Sequence, residues 1–130
     1  MATITIYLTY QSPNLMWRND ASEEWKVMEE TSVTAATTAG DTVKWVNDDT
    51  IKKIVNIKVG KKNKNSTPGY KWKDIWSQKP KSQNDFTGIV SKSMHEGDTD
   101  GYDIKVQTVK DGNVTVDPGV DVKKPPRGGD

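Results

Sequence analysis

The sequence predicts an all-β fold, a two-sheet β-sandwich with Greek-key connections, and three observations support this prediction. The aliphatic residues include thirteen Val and eight Ile but only two Leu, and fourteen Thr accompany them. β-Branched side chains lose rotamer freedom in a helix and fit well on a pleated sheet. Several segments alternate apolar and polar residues, and turn-forming residues separate these segments. The length of 130 residues fits one domain.

The alternation is clearest near the N-terminus, where residues 3–10 place apolar side chains at every second position. Successive side chains of a strand point to opposite faces, so this pattern predicts a half-buried strand. Turns are predicted at 40–41, 47–49 and 97–101, which are rich in Gly, Asp and Asn. Further strands are predicted at 25–28, 32–36, 42–46, 55–59, 86–92, 102–108, 114–116 and 120–122. The predicted core contains Ile4, Ile6, Leu8, Val43, Trp45, Val55, Ile57, Tyr102, Ile104 and Val106.

Residues 61–84 differ from the rest because they contain Lys, Asn, Ser, Pro and Gly with isolated aromatic residues and no sustained period. Long loops in compact domains are uncommon and often functional. We therefore expect a sandwich over residues 1–122, with 61–84 as a long basic loop inserted into it. Residues 123–130 contain Pro125-Pro126 and Gly128-Gly129 and are predicted to form a flexible C-terminal tail.

Two segments resemble the cupredoxin family. The run Gly40-Asp41-Thr42-Val43-Lys44-Trp45-Val46-Asn47-Asp48-Asp49 resembles the family's strand–turn pattern Gly-Asp-Thr-Val-x-Trp-x-Asn-x-Asp, which precedes the first copper-binding histidine. Residues 97–106 are similar to the family's penultimate strand, which carries the copper-binding cysteine near its end. This resemblance extends over about half of the chain and implies a cupredoxin-like fold.

The copper chemistry of that family does not carry over. The resemblance places Lys53 at or near the first histidine and Val106 near the cysteine. A blue-copper site requires two imidazoles and a thiolate, whereas this chain contains one His and no Cys. We therefore expect a cupredoxin-like sandwich without copper, without another cofactor and without electron transfer.

A second, shorter resemblance concerns the segment Asp117-Pro118-Gly119-Val120-Asp121-Val122. It is similar to the closing segment of bacterial inclusion-body proteins of the AidA/PixA type. These proteins are sandwich-like and have no known catalytic site. The similarity implies a bacterial, structural and non-enzymatic protein.

The charges are strongly segregated along the sequence. Residues 51–84 contain ten Lys and one acidic residue, Asp74, for a net charge of +9, so the rest of the chain carries −8. Aromatic residues lie among these lysines and could stack on a ligand, while ammonium groups attract anions. The candidate binding residues are Lys61, Lys62, Lys64, Tyr70, Lys71, Trp72, Lys73 and Trp76.

Three interpretations of this basic segment remain open. It could be a solvated loop whose tryptophans pack onto the sandwich, with no ligand. It could contact another protein, or the acidic face of a second copy in a head-to-tail arrangement. It could also bind an anionic polymer or a glycan. The segment contains no Arg, which disfavours bidentate recognition of specific nucleic-acid sequences.

Other candidate sites are weaker. Met94-His95-Glu96 could be a cluster of metal ligands, but it provides only one imidazole. Asp98, Asp100 and Asp103 offer oxygen ligands for calcium, but they also fit a turn in which carboxylates accept backbone hydrogen bonds. The acidic residues between 20 and 30 are ordinary for an exposed connection, and no nucleophile elbow or phosphate-binding loop is present. We therefore predict no metal site and no enzymatic activity.

The sequence also gives expectations for location and function. No signal peptide or membrane-spanning apolar run is evident, so we expect no membrane insertion, and either a cytoplasmic location or export without a Sec signal peptide. The main hypothesis is a non-catalytic structural or protein-interaction module that can self-associate. The alternative is carbohydrate or polyanion binding through residues 61–84.

Overall fold

The structure, a computed structural model, describes residues 2–61, 69–81 and 86–123. Within these ranges the chain forms twelve strands and no helix. The strands are β1 (Thr3–Gln11), β2 (Asn14–Arg18), β3 (Lys26–Val27), β4 (Val33–Thr37), β5 (Thr42–Asn47), β6 (Ile51–Lys61), β7 (Lys71–Trp72), β8 (Trp76–Lys81), β9 (Phe86–Val90), β10 (Asp98–Thr108), β11 (Gly112–Val116) and β12 (Gly119–Val122). They make two mixed six-stranded sheets, so the predicted all-β, two-sheet sandwich is confirmed.

The first sheet has the strand order β3-β2-β1-β5-β9-β8, in which only the β1–β5 pair is parallel. In the second sheet, β10 pairs with β6, β7, β11 and β12, and β12 pairs with β4. Thr99 pairs with both β7 and β12, and Ile104 pairs with both β6 and β11. Therefore β6 and β7 lie along one side of β10, and β11 and β12 lie along the other.

The core lies between the two sheets and matches most of the prediction. Ile4 is partly buried and packs against the core. The predicted residues that are buried are Ile6, Leu8, Val43, Trp45, Ile57, Tyr102, Ile104 and Val106. The alternation of the first strand therefore correctly predicts which face it buries.

The prediction for Val55 is wrong, because its side chain is 38% exposed. Along the β6–β10 pair, Asn56 lies opposite Lys105 and Ile54 lies opposite Val106, so Val55 has no opposite residue. Such an extra residue is a β-bulge, and it shifts the alternation by one position. As a result Ile54, rather than Val55, packs against the core.

Two expectations about irregular segments are also corrected. Within the predicted loop 61–84, residues 71–72 and 76–81 are strands that join the second and first sheets, respectively. The predicted turn at 97–101 is instead the start of β10 from Asp98 onwards. Strand β7 and the start of β10 form because they pair with each other and β10 also pairs with β12, whereas β8 pairs with the next strand, β9. Residues 62–68, 82–85 and 124–130, including most of the predicted tail, lie outside the described residues.

Candidate functional site

Most of the lysines of the basic segment come together along one side of the sandwich. Strands β6 and β7 occupy one edge of the second sheet, β8 forms an edge of the first, and β6 and β8 contact each other. We call this surface the basic side. Its exposed lysines, as far as the structure describes them, are Lys52, Lys53, Lys58, Lys71, Lys73, Lys79 and Lys81.

The two tryptophans of the basic side are fixed to the second sheet through one buried carboxylate. Trp72 Nε1 donates to Asp100 Oδ1 and Trp76 Nε1 donates to Asp100 Oδ2, each at 2.8 Å. The backbone N–H of Gly60 donates to Oδ2 at 3.1 Å. Gly60 is an extra residue in β6, and its φ of 86° suits glycine. Together these three donors hold β6, β7 and β8 against β10.

Burial changes the protonation of this carboxylate. Asp100 is only 1% exposed, and the resulting desolvation raises the pKa of its carboxyl group from 3.8 to about 6. The hydrogen bonds from Trp76, Gly60 and Trp72 lower the pKa, whereas the nearby charge of Asp74 raises it. A carboxyl group with such a pKa could act as a general acid. Because both oxygens of Asp100 accept hydrogen bonds from the protein, we assign it a structural role.

Trp76 is the first member of a series of aromatic and polar contacts that extends across the core. Its ring lies 6.2 Å from that of Trp45, centroid to centroid. Trp45 Nε1 donates to the Tyr102 hydroxyl at 3.1 Å, and that hydroxyl lies 2.7 Å from Thr34 Oγ1. Burial raises the pKa of Tyr102 to about 12. The buried polar atoms are thus satisfied by one another.

The two tryptophans that we predicted as binding residues differ in their exposure to solvent. Trp76 is only 8% exposed and is not available as a surface contact, whereas Trp72 is 40% exposed. The sequence places both among lysines, but only Trp76 packs on the core, because β8 turns it inward.

The remaining predicted binding residues have varied positions. Tyr70 is half-buried, and the ammonium of Lys123 lies 4.7 Å from its ring centroid. Lys71 and Lys73 are exposed on either side of Trp72. Lys61 ends β6, and Lys62 and Lys64 lie outside the described residues.

The opposite side of the sandwich is acidic. It is formed by β2, β3 and β4 with the connections around β3, and we call it the acidic side. Asp20 Oδ1 accepts from the backbone and hydroxyl of Ser22, each at 2.8 Å, which lowers the pKa of Asp20. Glu23 forms an ion pair with Lys26 at 3.6 Å. The exposed carboxylates of this side are Asp20, Glu23, Glu24, Glu29 and Glu30.

The candidate metal ligands do not converge. His95 and Glu96 are exposed, and the backbone N–H of His95 donates to Asp98 Oδ2 at 2.9 Å, as expected for a turn. Asp100 is instead engaged by the tryptophans. Among the described residues, no group of three or more His, Cys, Asp or Glu is placed to hold a metal ion. The same residues include no helix long and apolar enough to cross a membrane.

Comparisons with known proteins give no match: no family model, no curated protein and no solved structure is significantly similar to the chain. The relationships to cupredoxins and to AidA/PixA-type proteins therefore stay predictions. At the positions where copper ligands would lie, Lys53 is exposed on β6 and Val106 is fully buried. Function is inferred from the surface of the chain itself.

Proposed function

We propose that the protein is a non-catalytic interaction module that self-associates head to tail, with the basic side of one copy against the acidic side of the next. The separation of opposite charges onto opposite sides of one sandwich carries this proposal. The carboxylates around β3 lie at one end of the first sheet's strand order, and β8 lies at the other end, where it contacts β6 of the second sheet. Complementary patches of this kind steer and orient association.

The basic side is also shaped for contacts through side chains rather than through added strands. The edge strand β8 carries Pro80 between Lys79 and Lys81, and proline and lysine at an edge oppose strand pairing. Strand β6 is interrupted by irregularities in its register, which has the same effect. A contact between two different surfaces does not close on itself unless a rotation closes a ring. We therefore expect open chains of copies rather than a symmetric dimer.

The first test measures mass in solution. At low ionic strength, sedimentation velocity should show a mass above the 14.5 kDa of one chain, and the mass should rise with protein concentration. Added salt should return the mass to that of one chain, because charge attraction is screened beyond about 8 Å at physiological ionic strength. A single-chain mass at every protein and salt concentration would overturn the proposal.

A charge-reversed variant locates the contact. Lys79→Glu with Lys81→Glu should lower the mass at low salt, because these exposed residues lie on the edge of the basic side. The matched control is Lys105→Glu with Lys110→Glu, which changes the net charge equally at exposed positions of β10 and its following turn. The control should associate like the wild type, and an equal loss in both variants would contradict a defined contact.

A second candidate function, binding of a glycan or polyanion, is favoured by one observation. Trp72 is 40% exposed and lies between the exposed Lys71 and Lys73. A partly exposed ring beside ammonium groups suits a stacked, negatively charged ligand. Titration with heparin or single-stranded DNA should then change the tryptophan emission, and Trp72→Ala should abolish the change. An unchanged emission with both polymers would exclude this candidate.

A further inference from the structure

The carboxylate of Asp100 is held by hydrogen-bond donors alone. Its Oδ1 accepts one hydrogen bond, from Trp72 Nε1, and its Oδ2 accepts two, from Trp76 Nε1 and the backbone N–H of Gly60. These contacts suit an ionised carboxylate, which only accepts hydrogen bonds. A carboxyl group that has bound a proton must also donate one, and none of these three N–H groups can accept it. Protonation of Asp100 therefore displaces at least one donor.

The two oxygens of Asp100 differ in what a bound proton would displace. A proton on Oδ2 would disturb two donors, one of them on the ring of Trp76. That ring packs on Trp45, and a Cβ atom added to Gly88 would lie only 2.9 Å from it. Such a closely packed ring has no space into which it can turn. A proton on Oδ1 displaces only the indole of Trp72, so Oδ1 is the oxygen that binds the proton.

The ring of Trp72, unlike that of Trp76, can move while its strand stays in place. It is 40% exposed and therefore borders on solvent. Strand β7 is attached separately through its backbone. The N–H of Lys71 donates to the oxygen of Gly97 at 2.8 Å, and the N–H of Lys73 donates to that of Thr99 at 2.9 Å. Once the ring has turned away, a water molecule can reach Oδ1 and accept its proton.

Charged side chains flank these contacts on every element that packs against Asp100. Those that the structure describes are Asp98 on β10, Lys58 on β6, Lys71 and Lys73 at β7, Asp74 before β8, Lys79 on β8 and Asp121 on β12. The lysines and Asp74 are exposed, and the charge of Asp74 raises the pKa of Asp100. Asp98 accepts from the N–H of His95, and Asp121 accepts from Thr99. The three donors therefore converge on Asp100 and not on another carboxylate.

We propose that Asp100 is a pH-sensitive switch for Trp72: when its carboxylate binds a proton, the indole of Trp72 is released into solvent, while Trp76 and the strands stay in place. Burial raises the pKa of Asp100 to about 6. The indole is therefore bound to Asp100 above about pH 7 and released below about pH 5. Because Trp72 lies between Lys71 and Lys73, its release changes the surface of the basic side. The switch itself depends neither on self-association nor on a ligand.

Exchange of the indole N–H groups with water, measured by ¹H–¹⁵N NMR, tests the proposal. The readout is the exchange rate of Trp72 divided by that of the partly exposed Trp25, because the intrinsic pH dependence of exchange acts on both and cancels. This ratio should rise at least about tenfold from about pH 7 to about pH 5, which is the protection expected from a hydrogen bond to a charged group. The corresponding ratio for Trp76 should change far less. A constant ratio for Trp72, or an equal rise for Trp76, would overturn the proposal.

Two variants assign the change to Asp100. Asp100→Asn does not titrate, and its amide offers one acceptor oxygen instead of two, so Trp72 should be released at both pH values. The control His95→Gln removes the one histidine of the chain, a residue type that titrates in the same pH range, and it should behave like the wild type. If the rise on acidification persists in Asp100→Asn, or disappears in His95→Gln, the proton acts elsewhere and the proposal is wrong.

A third variant serves if Asp100→Asn does not fold. Asp74→Asn keeps the oxygen that accepts from the backbone N–H of Trp76 but removes the charge. Because that charge raises the pKa of Asp100, the midpoint of Trp72 release should move to lower pH. An unchanged or higher midpoint in this variant would contradict the assignment of the switch to Asp100.

Discussion

The basic and acidic sides of this sandwich are held in place by different kinds of contact. On the basic side, Trp72 and Trp76 donate to Asp100, which lies 28 and 24 residues further along the chain. On the acidic side, Asp20 bonds Ser22 and Glu23 bonds Asn19, within four residues. The indole rings of the basic side are therefore fixed by long-range hydrogen bonds to a buried carboxylate, whereas the exposed carboxylates of the acidic side are ordered by local ones. Substitution of these rings should therefore cost more stability than substitution of the exposed carboxylates of the acidic side.

Trp76→Ala should have the largest effect. It removes a buried ring that packs on Trp45 and one donor to Asp100. We expect a loss of about 4 kcal/mol in the free energy of unfolding, measured with denaturant. Trp72→Ala, the matched change at the more exposed partner, should cost only about 1–2 kcal/mol. Equal costs for the two variants would contradict the different burial of the two rings.

The pH dependence of stability should show the second-largest effect. The folded-state pKa of Asp100 is raised from 3.8 to about 6 by burial, so between these values the folded state holds a proton that the unfolded state has lost. The contribution of Asp100 to the free energy of unfolding therefore falls as pH rises from about 4 to about 6, and it levels off above that. The change is at most about 3 kcal/mol.

Asp100→Asn isolates this contribution, because the amide does not titrate. The difference in unfolding free energy between wild type and variant should change with pH mainly across the range from 4 to 7. Carboxylates with lowered pKa values, such as Asp20 and Asp111, affect both proteins equally and cancel. A difference that is flat with pH would contradict the raised pKa.

Trp25→Ala should have the smallest effect. Its ring stacks on the guanidinium of Arg18 at a partly exposed position of the acidic side. Loss of a cation–π contact of this kind costs about 0.5–1 kcal/mol. Thermal unfolding should therefore shift by only a few degrees. A loss as large as that of Trp76→Ala would contradict the peripheral position of the Trp25 ring.

Composition and alternation were sufficient to predict the fold class and most of the core. The period of two in β1, together with Val43 and Trp45 in β5, correctly indicates which face is buried. The bulge at Val55 was not predictable, because an extra residue leaves no mark in the pattern and becomes visible only against the partner strand. The register of β6 is therefore determined by its pairing with β10 and cannot be seen in the sequence of β6 alone.

The candidate site was predictable only in part. The count of charges along the sequence located the basic segment. Its lysines lie on one side of the sandwich because β6 and β7 form an edge of the second sheet and β8 forms the neighbouring edge of the first. The role of Asp100 was missed, since a sequence of Asp and Gly resembles a turn, whereas here it lies in β10 and is held by distant tryptophans.

Mixing two charge-reversed variants tests the head-to-tail contact most directly. One variant carries Lys79→Glu with Lys81→Glu, and the other carries Glu24→Lys with Glu29→Lys, all at exposed positions. Sedimentation velocity at low ionic strength should show each variant alone at a lower mass than the wild type. An equimolar mixture should regain a higher mass, because the reversed sides are again complementary. A mixture that stays at the mass of one chain, with both variants folded, would contradict the proposed contact.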